Sequence, residues 1–241
     1  MLLLLVFVGS FSATKSVYAA SPITLDGLGT FSSCGVFMNN VRPCDTQLLT
    51  TAHGHDIIIL VIVDSSCCNT NETVSSIIDS SGLVFTPRID YSTYAKVWEY
   101  YARTTSPLNS DNITVIYSDF GWFGIQVIAI HGANNRSIFD QNPSIPGTVS
   151  CRGPTCSASI QTSTLDFVIA SVAINDADSC EYSIGGPQPP QGFTPVAYTG
   201  KMEVEYSITA TPQSNVAFHC NYDDAMAIVL DAISFYGAFG T

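Results

Sequence analysis

The chain is short of positive charge. Eight lysines and arginines stand against twenty aspartates and glutamates in 241 residues, a formal net charge of −12. Beyond the first nineteen residues the only lysines are Lys96 and Lys201. A nucleic-acid partner needs a basic stripe to displace counterions from phosphates, and an anionic lipid surface repels such a chain, so neither is an expected partner. Charge of either sign is scarce, at 12%, and the acidic residues are spread along the chain, which serves solubility. Catalytic signatures are missing too. There is no Gly-x-Ser-x-Gly, no Cys-x₂-Cys pair and no complete EF-hand loop, so neither an enzyme nor a cofactor is expected. Past the N-terminus no run suits a membrane span, because Ala225 to Phe235 is too short and contains Asp231. Hydrophobic residues reach 46%, enough apolar surface to rule out a disordered chain.

Residues 2–13 run Leu-Leu-Leu-Leu-Val-Phe-Val-Gly-Ser-Phe-Ser-Ala, and Val17-Tyr18-Ala19 supplies small residues for a signal peptidase. This reads as a secretory signal over 1–19, cleaved near Ala19 or Ala20, although Lys15 follows the apolar run where a basic residue usually precedes it. The competing reading is a retained anchor or a buried strand. Export turns the eight cysteines into candidate disulfides. Cys151 and Cys156 enclose Arg-Gly-Pro-Thr, a loop suited to a local bridge. Cys34 and Cys44 flank one polar connection before the run 56–64, and Cys67 and Cys68 lie beyond its far end. Ten extended residues cover roughly 30 Å, while a disulfide needs Cα atoms within about 7 Å. Cys34–Cys44 is therefore the easier bridge, Cys180–Cys220 follows by elimination, and Cys67-Cys68 is left vicinal or paired elsewhere. Asn71, Asn112 and Asn135 head Asn-x-Ser/Thr triplets and are candidate N-glycan sites.

The periodicity is that of strands. Asp56 to Val63 is a continuous Ile/Val-rich run, as for a strand buried on both faces. Leu83 to Ile89, Lys96 to Ala102, Ile113 to Tyr117, Phe123 to His131, Phe167 to Ile174, Met202 to Ile208 and Met226 to Phe235 follow, separated by Gly, Pro, Ser and Asn. The expected fold is all-β, a single antiparallel sandwich of jelly-roll or Ig-like type over 34–241. No internal repeat is visible. Ser137 to Gln141 is the one candidate helical turn, and Gly185 to Pro195 reads as a surface loop.

The stretches Ser80-Ser81-Gly82-Leu83-Val84-Phe85-Thr86-Pro87-Arg88, Val97-Trp98-Glu99-Tyr100-Tyr101-Ala102, Asp111-Asn112-Ile113-Thr114-Val115, Gln126-Val127-Ile128-Ala129-Ile130-His131-Gly132-Ala133 and Phe167-Val168-Ile169-Ala170 resemble a jelly-roll domain of exported archaeal, bacterial and phage surface proteins. Within that group, small signal-bearing members resemble subunits of archaeal thread-like surface filaments. The resemblance implies head-to-tail polymerisation of identical subunits by donor-strand complementation, heavy N-glycosylation, and a place in an extracellular filament serving adhesion or biofilm formation. The residues themselves offer a matching segment. In 20–33, Ile23, Leu25, Gly27, Gly29 and Phe31 share one face of an extended strand and could act as pegs in a neighbour's groove. The same segment could equally be the domain's own first strand.

Other clusters carry weaker chemistry. His53 and His55 lie on one side of an extended segment and need His131 or His219 to complete a metal site. Asp176 and Asp178 alternate after a strand end, as calcium ligands do. Glu203 and Glu205 share a strand face and are expected in solvent. Trp98, Tyr100 and Tyr101 suit either a core or a sugar platform. The alternative to the filament is a monomeric secreted adhesin or carbohydrate-binding sandwich.

Overall fold

Two runs of β-branched and apolar residues set the architecture. Ile57–Asp64 and Asp166–Ile174 are buried at every position, so each strand is covered on both faces. A sheet built around such a strand must lie between two other layers.

The computed structural model describes residues 22–32, 44–65, 71–153, 155–175, 180, 182–183, 186–187, 192–199, 201–221 and 224–235. The strands are β1 (Thr24–Leu28), β2 (Thr30–Ser32), β3 (Cys44–Leu49), β4 (Ile57–Asp64), β5 (Val74–Asp79), β6 (Thr86–Ser92), β7 (Lys96–Arg103), β8 (Asp111–Tyr117), β9 (Phe123–His131), β10 (Gly147–Gly153), β11 (Cys156–Ile160), β12 (Asp166–Ile174), β13 (Tyr182–Ser183), β14 (Gly186–Pro187), β15 (Thr194–Thr199), β16 (Met202–Ile208), β17 (Val216–Cys220) and β18 (Asp224–Ser234). The all-β expectation holds, and among the described residues no helix is long and apolar enough to cross a membrane. Residues 137–141 form no helical turn. Phe139 instead makes a β-bridge to Ile233.

The sandwich is doubled. One inner sheet has the order β1-β9-β4-β7-β6, the other β10-β18-β12-β16-β15. These are the same order in two successive parts of the chain. Outside the first lies β2-β3-β8-β5, and outside the second lies the pair β11-β17. In each half the first and last strands sit side by side, as in a jelly roll. The repeat escapes the eye in sequence but is explicit in register. Asp56 precedes the Ile57↔Ile130 pair, and Asp166 precedes Phe167↔Ile233. Asp56 and Thr104 exchange backbone and side-chain hydrogen bonds, and Asp166 and Thr209 do the same. Leu25↔Ile130 matches the Phe139↔Ile233 bridge, which makes Asp26 and Asp140 equivalent.

Three apolar layers follow. The central one joins the two inner sheets, with Ile57, Ile59, Val61 and Ile128 facing Phe167, Ile169, Val204 and Val229. The alternate residues Ile58, Leu60, Ile62 and Trp98 face Ile113, Val115 and Tyr117. On the other side Val168, Ala170 and Val172 face Ile160 and Phe218. Trp98 is thus core. Each fully buried Ile or Phe is worth about 1.5–3 kcal/mol, so the halves are joined by a core rather than by a loose contact. A polar seam crosses that core. Arg88 donates to both oxygens of Asp231 at 2.8 and 3.0 Å, joining β6 of one sheet to β18 of the other.

The cysteines Cys151–Cys156 and Cys180–Cys220 are bonded to each other, with Cα separations of 5.7 and 4.3 Å. Cys44 is also in a disulfide. Cys34, Cys67 and Cys68, like the signal segment 1–19, lie outside the described residues.

Candidate functional site

The segment 20–33 is where the function would reside if subunits exchange a strand. From Pro22 to Ser32 it packs on its own chain. β1 pairs antiparallel with β9 through Thr24↔His131 and Leu25↔Ile130, and β2 pairs with β3. The expected single face of pegs is divided. A β-bulge between Leu25 and Gly27 shifts the alternation by one residue. Ile23 is buried in the central core, with Leu25 and Leu28 against it. Gly27 instead faces Leu49 and the Thr50 carbonyl, and Gly29 faces Gln47 and Val127. Phe31 projects outward, 78% exposed. A Cβ at Gly27 would run into the Thr50 carbonyl oxygen, a backbone atom that cannot swing aside. Gly27→Ala is therefore expected to loosen β1 and cost about 1–3 kcal/mol, read as a lowered urea midpoint, whereas Gly82→Ala has open space around it and tests only its positive φ.

The bulge residue, Asp26, anchors the strand. Its Oδ2 accepts the backbone N–H groups of Ala52 and His53, both at 2.9 Å, and its Oδ1 lies 2.7 Å from His53 Nδ1. Asp56, at the mouth of β4, lies 2.8 Å from His131 Nδ1. The His53 and His131 rings stack at 4.3 Å between centroids. Burial pushes the Asp56 carboxyl up to about 6; His131 opposes the rise and neighbouring Asp26 adds to it. Asp26 itself, although partly buried, is held below the usual range by the His53 N–H and ring and by Asp56. Below about pH 6 the proton of this pair therefore sits on Asp56 rather than on Asp26. Asp56 Oδ2 is buried with no other hydrogen-bond partner among the described residues, which suits it as the donor.

The second half repeats the pair. Burial pushes Asp166 up to about 7, Thr164 opposing and Asp140 reinforcing the rise, while Asp140, despite its own burial, is held low by the N–H groups of Ser163 and Asn142 and by Asp166. Asp166 Oδ2 is likewise without another partner among the described residues. Where the first half places two histidines, the second places Ser234 opposite Asp166. The acid pair thus belongs to the fold, and the histidines belong to the β1 end alone.

The remaining candidates separate. His131 does converge with His53, but each turns a ring nitrogen toward an aspartate, and His55 is exposed at φ 61°. Among the described residues no three His, Cys, Asp or Glu side chains are placed to hold a metal ion. Asp176 and Asp178 lie outside the described residues. Glu203 and Glu205 are buried rather than solvated, because β16 lies between β12 and β15, and Glu203 accepts the Cys180 N–H at 2.8 Å. Asn71, Asn112 and Asn135 are all exposed. Sequence reasoning missed Asp26, Asp140 and Asp166. The available signal was an aspartate opening each long apolar run, with a threonine 48 residues on in one case and 43 in the other.

The disulfides fit folding in an oxidising, extracellular-type environment. The chain matches no protein-family model, no curated protein and no solved structure.

Proposed function

We propose that this is an exported, non-enzymatic structural protein whose identical copies join head to tail into cell-surface filaments by exchanging β1. The observation that carries this reading is the position of β1. Among the described residues it is an edge strand whose ladder runs to β9 alone, and Leu25 and Leu28, with Ile23 just before the strand, enter the central core. The same strand from a second copy would restore every hydrogen bond and every apolar contact in kind, so exchange is near-neutral in contact energy and is governed by geometry and concentration. A single chain closes its own sheet, so assembly requires β1 to leave β9, and the Asp26 anchor sets the resistance to that step. Disulfides, and glycans on the exposed Asn71, Asn112 and Asn135, would add persistence, and adhesion or biofilm formation is the corresponding role.

The test is electrophoresis of material sheared from the native cell surface, with peptide identification. A ladder of this chain that survives SDS and heat is expected. A sharp monomer would remove the reading. A second reading rests on Phe120 and Trp122, which are 65% and 63% exposed in one loop, with Lys201 Nζ 3.6 Å from the Trp122 ring centre. Such a platform suits sugar rings, and a monomer that binds glycans and loses binding on Trp122→Ala would select the carbohydrate-binding module instead.

A further inference from the structure

Lys96 is buried, and burial of a lysine calls for an explanation. It opens β7 and pairs directly across the ladder with Asp64, the last residue of β4. Its Nζ lies 3.4 Å from Asp64 Oδ2 and 3.1 Å from Glu72 Oε2, and it donates to the Glu72 carbonyl at 3.2 Å. Both carboxylates have fully buried side chains. The Trp98 ring closes over the ammonium at 5.6 Å. One ammonium and two acids are thus shut away from water, with the amine nitrogen 3.4 Å from an oxygen of the Asp64 carboxyl group.

We propose that Lys96 and Asp64 condense into an intramolecular amide, an isopeptide bond between β7 and β4, with Glu72 moving the protons. The ammonium passes a proton to Glu72, and the freed amine attacks Cγ of Asp64. The new N–C bond forms, a C–O bond breaks, and the oxygen leaves as water with the protons Glu72 returns. Ammonium plus carboxylate becomes amide plus water, so atoms and charge balance and no oxidant or activating co-reactant enters. Three features of the site favour the step. The reacting groups are held together, which removes the entropic barrier of a bimolecular condensation. A carboxyl group within hydrogen-bonding reach serves as general acid and base. Exclusion of bulk water penalises the charged pair and disfavours the reverse hydrolysis once the released water has left.

The chain contains its own control. Lys201 holds the equivalent place in the second half, immediately before β16, but there the cross-strand neighbour is Ile174 and the nitrogen sits over Trp122. Among the described residues it forms no ion pair with a carboxylate, and it is expected to keep its amine.

The test is peptide mapping of the full-length secreted chain, denatured and reduced. The expected result is a joined peptide pair carrying Asp64 and Lys96, lighter by one water than the two together, with no tryptic cleavage after Lys96 and normal cleavage after Lys201. Cleavage after Lys96 with both peptides at ordinary mass overturns the proposal and leaves a buried ion pair. A chain with Lys96 removed could fail to fold, so the second variant is Glu72→Gln. It keeps the side-chain volume and is expected to fold, as read by circular dichroism, with the bond lost. A Glu72→Gln chain linked as fully as the wild type overturns the role given to Glu72. None of these outcomes depends on whether the protein polymerises.

Discussion

Unfolding in urea should show a protein more stable at pH 4.5 than at pH 8. Asp56 and Asp166 bind their protons more tightly in the folded chain, at about 6 and about 7, than an unfolded aspartate does at about 3.9. A folded state that holds extra protons loses stability as pH rises through those values. The contribution is complete below about pH 4 and gone above about pH 7. Burial of Asp45 and Asp79, whose carboxyls are also raised, acts in the same direction. Asp26 and Asp140 act in the opposite direction, being held low, and their contribution is lost only as pH falls below the ordinary aspartate value. The optimum therefore lies in the window near pH 4–5. With a tenfold change worth about 1.4 kcal/mol, and allowing for relaxation and water entry, the two raised acids together account for on the order of 4 kcal/mol. The double variant Asp56→Asn, Asp166→Asn keeps a donor at each pair and should flatten the profile. A urea midpoint that is level or higher at pH 8 would contradict the protons placed on Asp56 and Asp166.

The second large effect is expected at the seam between the halves. Asp231 is completely buried and its charge is answered by the two hydrogen bonds of Arg88. Glu99 is also buried, and burial, reinforced by the neighbouring Asp231 charge, pushes its carboxyl well above the usual range. Arg88→Ala strands a buried carboxylate and should cost about 3–5 kcal/mol. Glu99→Gln removes an acid whose ionisation burial and Asp231 already oppose, at nearly constant volume, and should change stability by less than about 1 kcal/mol. Thermal denaturation at pH 7 checks both. If Arg88→Ala is mild and Glu99→Gln severe, the charge assignment is reversed.

Strands in the middle of a layer were legible because their chemistry is local. Ile57–Asp64 and Asp166–Ile174 are β-branched runs with no polar face, and Phe123–His131 and Met202–Ile208 match the sequence boundaries. Outer strands were less so. β10 and β11 are rich in Ser, Thr and Gly, and β11 and β17 are only five residues long, too short to set a period. Leu83-Val84-Phe85 shows the converse, since apolar residues precede β6 without belonging to it. The doubling was hidden for a different reason. Equivalent strands share a burial pattern rather than residues, so Ile57 answers to Phe167, and equivalence rests on non-local pairing. The acid pairs were hidden because Asp26 reaches its partner only through a bulge, which alternation along β1 does not foretell. Bulge and pairing also explain why the peg face fails beyond Leu25. Unbroken alternation places Gly27 on the face of Leu25, and one extra residue at the bulge moves it to the other side of the strand.

Strand exchange is open to a direct measurement. Leu25 and Ile130 are cross-strand partners of β1 and β9. In assembled material of the double variant Leu25→Cys, Ile130→Cys, oxidised and then fully unfolded in hot guanidinium to undo non-covalent exchange, the account predicts chains still covalently joined in ladders that separate into single chains only when the disulfides are reduced. A new bridge found only within single chains, in that same material, would show that β1 never leaves its own sheet and would contradict it.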